Sequence, residues 1–105
     1  MGKYLITYSG GAQPDDMTQE QREQVMKAWM DWYASLGDSV VDMGDPTGAS
    51  KVVAPSGGVS DGSSGITGYS LINAESLDAA AEACKSHPHL AAGGRIDIHE
   101  TFNVM

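Results

Sequence analysis

Hydrophobic and polar positions alternate at both ends of the chain, and this period of two predicts β-strands. From Lys3 to Ser9, β-favouring side chains lie on both faces, which is typical of a strand that is covered on both sides. From Arg95 to Phe102, Ile96 and Ile98 share one face and polar residues occupy the other. Both segments are therefore expected in one sheet.

A helical period replaces this alternation after Thr18. Apolar residues recur at steps of three and four as far as Gly37, which is a typical residue for ending a helix. Thr18 and Gln21 have the spacing of a capping box. The spacing of the aromatic residues in this helix favours core positions, and an aromatic ligand site is the alternative; these residues are Trp29, Trp32 and Tyr33.

The middle of the chain is predicted to form short strands. Ser39–Met43 and Ser50–Ala54 read as strands, and Ile66–Asn73 as a longer one. Ser56–Gly65 is dominated by glycine and serine, which predicts a flexible hairpin tip.

A second helix is predicted after Ser76, which is a good N-cap residue. Leu77, Ala80, Ala81 and Cys84 form its apolar stripe, and Pro88 is expected to end the helical region.

The order of these elements predicts one α+β domain spanning residues 1–105. A ferredoxin-like βαββαβ subunit is expected, with an antiparallel sheet and two helices on one face. The far face of the first strand is not polar, so the sheet needs a cover. A second copy of the chain is the simplest cover, and we therefore predict a homodimer.

Composition argues against several classes of partner. The formal net charge is −8, and the resulting repulsion disfavours nucleic acids and anionic membrane surfaces. One cysteine excludes an intrachain disulfide, and no apolar run is long enough for a signal peptide or a membrane span. These features predict a cytoplasmic protein.

The sequence His87-Pro88-His89 is the strongest candidate for chemistry. Histidine titrates near neutral pH, so the two imidazoles are candidates for acid–base catalysis. The structural alternative has His87 at a helix C-terminus, favoured by the helix dipole, and His89 in a loop. A metal site formed with Cys84 and His99 is a further alternative, but Cys84 lies on the apolar stripe. We predict no metal and no cofactor.

Four other residues are candidates for a ligand pocket. Asp42 is predicted to orient or polarise a substrate, and an ion pair with Lys51 is the structural alternative. Tyr8 is a candidate pocket wall, and Lys51 and His99 are candidate binding groups. His99 shares a strand face with Arg95 and Asp97, which suits either an anionic or hydroxylated ligand or a solvated surface.

Three blocks of the sequence resemble the YCII-related domain family, which includes the DGPF-type proteins. They are Lys3–Tyr8, Gly68–Ile72 with Glu75–Ala80, and Gly93–Glu100. The resemblance implies a ferredoxin-like subunit in a dimeric α+β barrel. It also implies cofactor-free acid–base chemistry by a His from the first helix and an Asp before a Pro. Here His87 precedes Pro88, and the first helix has no histidine.

These observations lead to three hypotheses for function. The first is a small-molecule enzyme or ligand-binding protein that uses cofactor-free acid–base chemistry in a pocket at the dimer sheet. The second is a non-catalytic dimeric interaction or regulatory module. The third is a cofactor-free monooxygenase, which shares only the dimeric barrel.

Overall fold

The computed structural model describes residues 2–11, 16–62 and 64–102. Within these residues the protein is α+β, as predicted, and it contains both strands and helices in mixed order. The elements are β1 Gly2–Gly10, α1 Gln19–Leu36, β2 Val40–Asp42, β3 Lys51–Val53, β4 Val59–Asp61, β5 Ile66–Ala74, α2 Leu77–Cys84, α3 Pro88–Ala91 and β6 Gly94–Glu100.

Four strands form an antiparallel sheet in the order β2-β5-β1-β6. At its centre Ile6 lies opposite Ser70 on one side and opposite Ile98 on the other. The short strands β3 and β4 pair only with each other and form a separate hairpin. The antiparallel sheet is therefore confirmed, with β1 and β5 as its inner strands.

The core lies between the sheet and the helices α1 and α2. The inward side chains of β1 are Tyr4, Ile6 and Tyr8, and all three are buried. Against them pack Trp32 and, from α2, small residues that include Ala80 and Cys84. The Trp32 indole also donates a hydrogen bond to the Ala83 carbonyl oxygen at 3.1 Å, which joins α1 to α2.

Three of the predicted helix ends, at Thr18, Gly37 and Ser76, are confirmed by the structure. The Gln21 amide donates to the Thr18 hydroxyl, and the Thr18 amide donates to the Gln21 side chain, so the capping box is complete. Gly37 ends α1 with a φ of 57°, a conformation that favours glycine. Ser76 caps α2 by accepting the Ala79 amide.

Two local predictions differ from the structure. Part of Ser56–Gly65 forms β4, because a turn closed by the Gly57 amide on the Ala54 carbonyl brings Val59 opposite Val53; Ser63 lies outside the described residues. Pro88 begins the short helix α3 rather than ending a helical region. Proline is favoured at a first helical position, where its missing N–H is not needed.

In the described part of the chain, no helix combines the length and apolar character that crossing a bilayer requires.

Candidate functional site

A cleft of about 500 Å³ lies between α1, α3 and the ends of β1 and β5. Its wall is mainly apolar, and the methionines Met17, Met26, Met30 and Met43 form a large part of it around Trp29. Methionine side chains adapt to ligands of different shape, and a volume of this size suits a small organic molecule. The cleft is therefore the candidate ligand-binding site of the protein.

His89 lies on this wall with its imidazole held in one orientation. The side chain is 8 % exposed, and Nε2 is 2.8 Å from the carbonyl oxygen of Ser9. Because a carbonyl oxygen can only accept, Nε2 carries the proton in the neutral ring, and Nδ1 then keeps its lone pair. Among residues 2–11, 16–62 and 64–102, no group forms a hydrogen bond with Nδ1.

Glycines at the end of the β1–β6 ladder make room for this ring. Gly10 and Gly94 are opposite each other in the register. A Cβ atom at Gly94 would overlap the His89 ring, and one at Gly11 would lie 3.0 Å from its Cε1 atom. The glycines therefore allow close approach of the imidazole to the backbone.

His87 lies behind His89 and caps α3. Its Nδ1 accepts the His89 amide at 2.9 Å, and the residue is only 2 % exposed. The rings of Tyr8, Trp29 and Trp32 surround it, with centroids 4.9, 4.4 and 4.3 Å away. Burial, with a smaller effect of His89, lowers the pKa of His87 to about 4, so the ring is neutral at pH 7.

The two histidines that the sequence puts forward together therefore have different roles in the structure. His87 supports the backbone of His89 and is not among the residues that line the cleft. Its Nε2 atom is buried without a hydrogen-bond partner in the described part of the chain. Its role as an acid–base group stays a prediction.

A second polar group, centred on Ser70, lies between β5 and α1. The Ser70 hydroxyl is 2.8 Å from the hydroxyls of both Tyr8 and Tyr33 and donates to the Met43 carbonyl oxygen at 2.8 Å. Burial raises the pKa of Tyr8 well above its usual range, so its phenol stays protonated.

The remaining candidates lie outside the cleft. Asp42 is exposed and accepts the Gly44 amide at 2.8 Å, which closes the turn after β2. Lys51 forms its ion pair with Asp61, its cross-strand partner in the hairpin, at 2.5 Å, rather than with Asp42. His99 is exposed on β6, on the sheet face opposite the core. Of the six candidates, the structure therefore brings Tyr8, His87 and His89 together, and only Tyr8 and His89 line the cleft.

Sequence reasoning preferred the core for two residues of the site and missed a third. Trp29 and Tyr33 were expected in the core, and they contact it, but both also line the cleft. The signal that was available is the helical spacing of the aromatic residues, which fits a pocket wall as well as the core. Ser70 carries no such signal, because one serine in a strand indicates nothing about its partners across the sheet.

The metal alternative finds no support in the positions of its ligands. Cys84 is 3 % exposed, and burial raises the pKa of its thiol to about 11. In the described ranges, no three His, Cys, Asp or Glu residues are grouped so that they could hold a metal ion.

Comparison with known proteins finds no matching family model for this chain and no match among curated proteins. The resemblance to the YCII-related family therefore stays a prediction, and a functional proposal depends on the geometry of the cleft.

Proposed function

We propose that the cleft binds a small molecule and that His89 transfers protons to and from it without a cofactor. One observation carries this proposal. The Ser9 carbonyl lies 2.8 Å from Nε2 of His89, and Nδ1 of this cleft-lining residue forms no hydrogen bond with any of the described residues.

This arrangement suits a general base. The Ser9 carbonyl maintains one tautomer, and it also stabilises the imidazolium that forms when Nδ1 accepts a proton. His87 is neutral, so it places no like charge beside that imidazolium. Nδ1 is therefore the nitrogen through which His89 would exchange a proton with a ligand.

Deuterium exchange of phenylacetone in D2O tests the proposal. His89 Nδ1 would take a proton from the α-carbon to leave the enolate, and the enolate would then recover a deuteron from the imidazolium after exchange with solvent. We expect the protein to accelerate exchange above buffer, as measured by loss of the α-proton NMR signal.

His89→Gln is the decisive variant, because it keeps an amide donor for Ser9 but has no basic nitrogen. The acceleration should fall by roughly 100-fold or more. Lys85→Ala, which removes only an exposed ion pair with Glu82 on α2, should leave it unchanged. Equal exchange in wild type, His89→Gln and buffer would overturn the acid–base assignment.

We further propose that the subunit is ferredoxin-like and forms a homodimer through the open face of the sheet. The strand order β2-β5-β1-β6 with antiparallel neighbours supports the first part. Leu5 and Leu71 are cross-strand partners that point away from the buried Ile6 and Ile72, which supports the second. The same assembly is implied by the resemblance to the YCII-related family.

Light scattering on the eluting protein tests the dimer. We expect a mass of about twice the 11.0 kDa of one chain. Leu71→Glu should reduce it to one chain, because a charge would be buried in the interface. Val53→Glu, a matched change on the exposed β3 strand, should not. A monomeric wild type would overturn the homodimer.

A further inference from the structure

Two of the polar side chains that line the cleft, Thr67 and His89, direct their protons into the protein. Thr67 donates its hydroxyl proton to the Tyr8 carbonyl oxygen at 3.3 Å. His89 donates its Nε2 proton to Ser9. Neither of these donors is left to meet a ligand.

The hydroxyls around Ser70 follow the same rule. The Met43 carbonyl oxygen can only accept, so the Ser70 hydroxyl donates its single proton to that oxygen. Tyr8 must then be the donor in its 2.8 Å hydrogen bond with Ser70. The Tyr33 hydroxyl lies 2.8 Å from the Ser70 hydroxyl and 3.0 Å from the Met43 carbonyl oxygen, and it donates to one of these two acceptors. All three hydroxyl protons are thus committed within the protein.

The imidazole and the hydroxyl groups of the inner cleft therefore offer lone pairs to a ligand. These acceptors are His89 Nδ1 and the phenol oxygens of Tyr8 and Tyr33. Among the described residues that line the cleft, the other side-chain donors are the indole N–H of Trp29, the Tyr69 hydroxyl and the exposed Arg22, which donates to the Met17 carbonyl oxygen. A ligand group that meets the inner acceptors must supply a proton.

The apolar wall indicates the rest of the ligand. The Trp29 and Tyr8 rings meet edge to face with centroids 4.8 Å apart, and the methionines extend the same surface. Aromatic rings and thioethers both pack well against flat aromatic groups.

We infer that the cleft accepts an aromatic molecule that carries a hydrogen-bond-donating hydroxyl group, a phenol or an enol, with that hydroxyl directed at His89 Nδ1. The inference rests on the proposed function and specifies the chemical class of its ligand. An enol is also the species that proton removal from a carbonyl compound by His89 would produce.

Three naphthalenes that differ in one group provide the test. 2-Naphthol has the donor, 2-methoxynaphthalene has the same oxygen without a proton, and 2-naphthoate has an anionic acceptor. Calorimetry at neutral pH measures their affinities, and amide chemical shifts locate each at the cleft. We expect 2-naphthol to bind roughly fivefold to tenfold more tightly than the ether, the value of one hydrogen bond.

His89→Phe keeps an aromatic ring but removes the acceptor, and it should bring the ratio of the two affinities close to one. Its amide spectrum reports whether the fold is retained, and Tyr33→Phe should keep most of the preference if His89 is the acceptor. Equal binding of naphthol and ether in wild type would overturn the donor class while leaving the cleft as a ligand site. Tightest binding of 2-naphthoate would overturn it in favour of anions. If none of the three shifts the amides of the cleft, the proposed function itself falls.

Discussion

Gly94 has no side chain where the imidazole of His89 lies, and a methyl group at that position would overlap the ring. Gly94→Ala should therefore displace His89 and break its hydrogen bond to Ser9. We expect a loss of roughly 1–3 kcal/mol in the free energy of unfolding, as for overpacking elsewhere. Urea unfolding measures it, and the deuterium exchange assay should show activity falling with it.

A double-mutant cycle separates the overlap from any effect of the backbone. In a His89→Ala background the imidazole ring is absent, so Gly94→Ala should change the free energy of unfolding only slightly. A cost that is unchanged in this background would mean that Gly94 is needed for some reason other than the imidazole.

The lowered pKa of His87 predicts a loss of stability in acid. The folded protein holds this group at a pKa of about 4, below its usual value of 6.5. Between these values the unfolded chain binds more protons, so stability is full above about pH 6.5 and falls as the pH drops towards 4. The expected loss in the free energy of unfolding over this pH range is about 3 kcal/mol, and urea unfolding at a series of pH values measures it.

His87→Asn gives the matched control. The Asn side-chain oxygen can accept the His89 amide in place of Nδ1, and it does not titrate in this range. The variant should be less stable at pH 7, because the aromatic surroundings lose the ring, but its stability should change less between pH 6.5 and 4. The same slope as in wild type would assign the acid sensitivity to other groups.

Periodicity was sufficient to predict α1, α2 and the long strands, because these elements bury an apolar stripe or face. It failed at α3, where Pro88 fits equally well at the end of one helix and at the start of another. The capping hydrogen bond from the His89 amide to His87 decides between them, and it depends on the fold around them.

The candidate site likewise combines residues that the sequence could identify with contacts that only the fold determines. Tyr8 and His89 were named from residue chemistry and lie on the cleft. The contact between His89 and Ser9 joins residues 80 positions apart, and Ser70 meets Tyr8 across 62 positions. Such partners are set by strand register, which one sequence pattern does not specify in detail.

Cys84 should react slowly with thiol reagents while the protein is folded. The thiol is buried, and its pKa of about 11 against the usual 9.0 lowers the thiolate fraction at pH 8 by about 100-fold. Labelling with Ellman's reagent should therefore be at least ~100-fold slower in native buffer than in urea. Rapid native labelling would place the thiol at the surface and contradict its position in the core.

The Ser70 network predicts unequal costs for removing its hydroxyl groups. Ser70→Ala leaves the buried Tyr8 hydroxyl without an acceptor, which costs roughly 1–3 kcal/mol. Tyr8→Phe should cost less, because Ser70 keeps its hydrogen bonds to Met43 and Tyr33. The double variant should cost less than the sum of the two, since no unpaired phenol remains. Urea unfolding of the three variants measures this, and additive costs would show that Tyr8 and Ser70 do not share the proton that the geometry assigns to them.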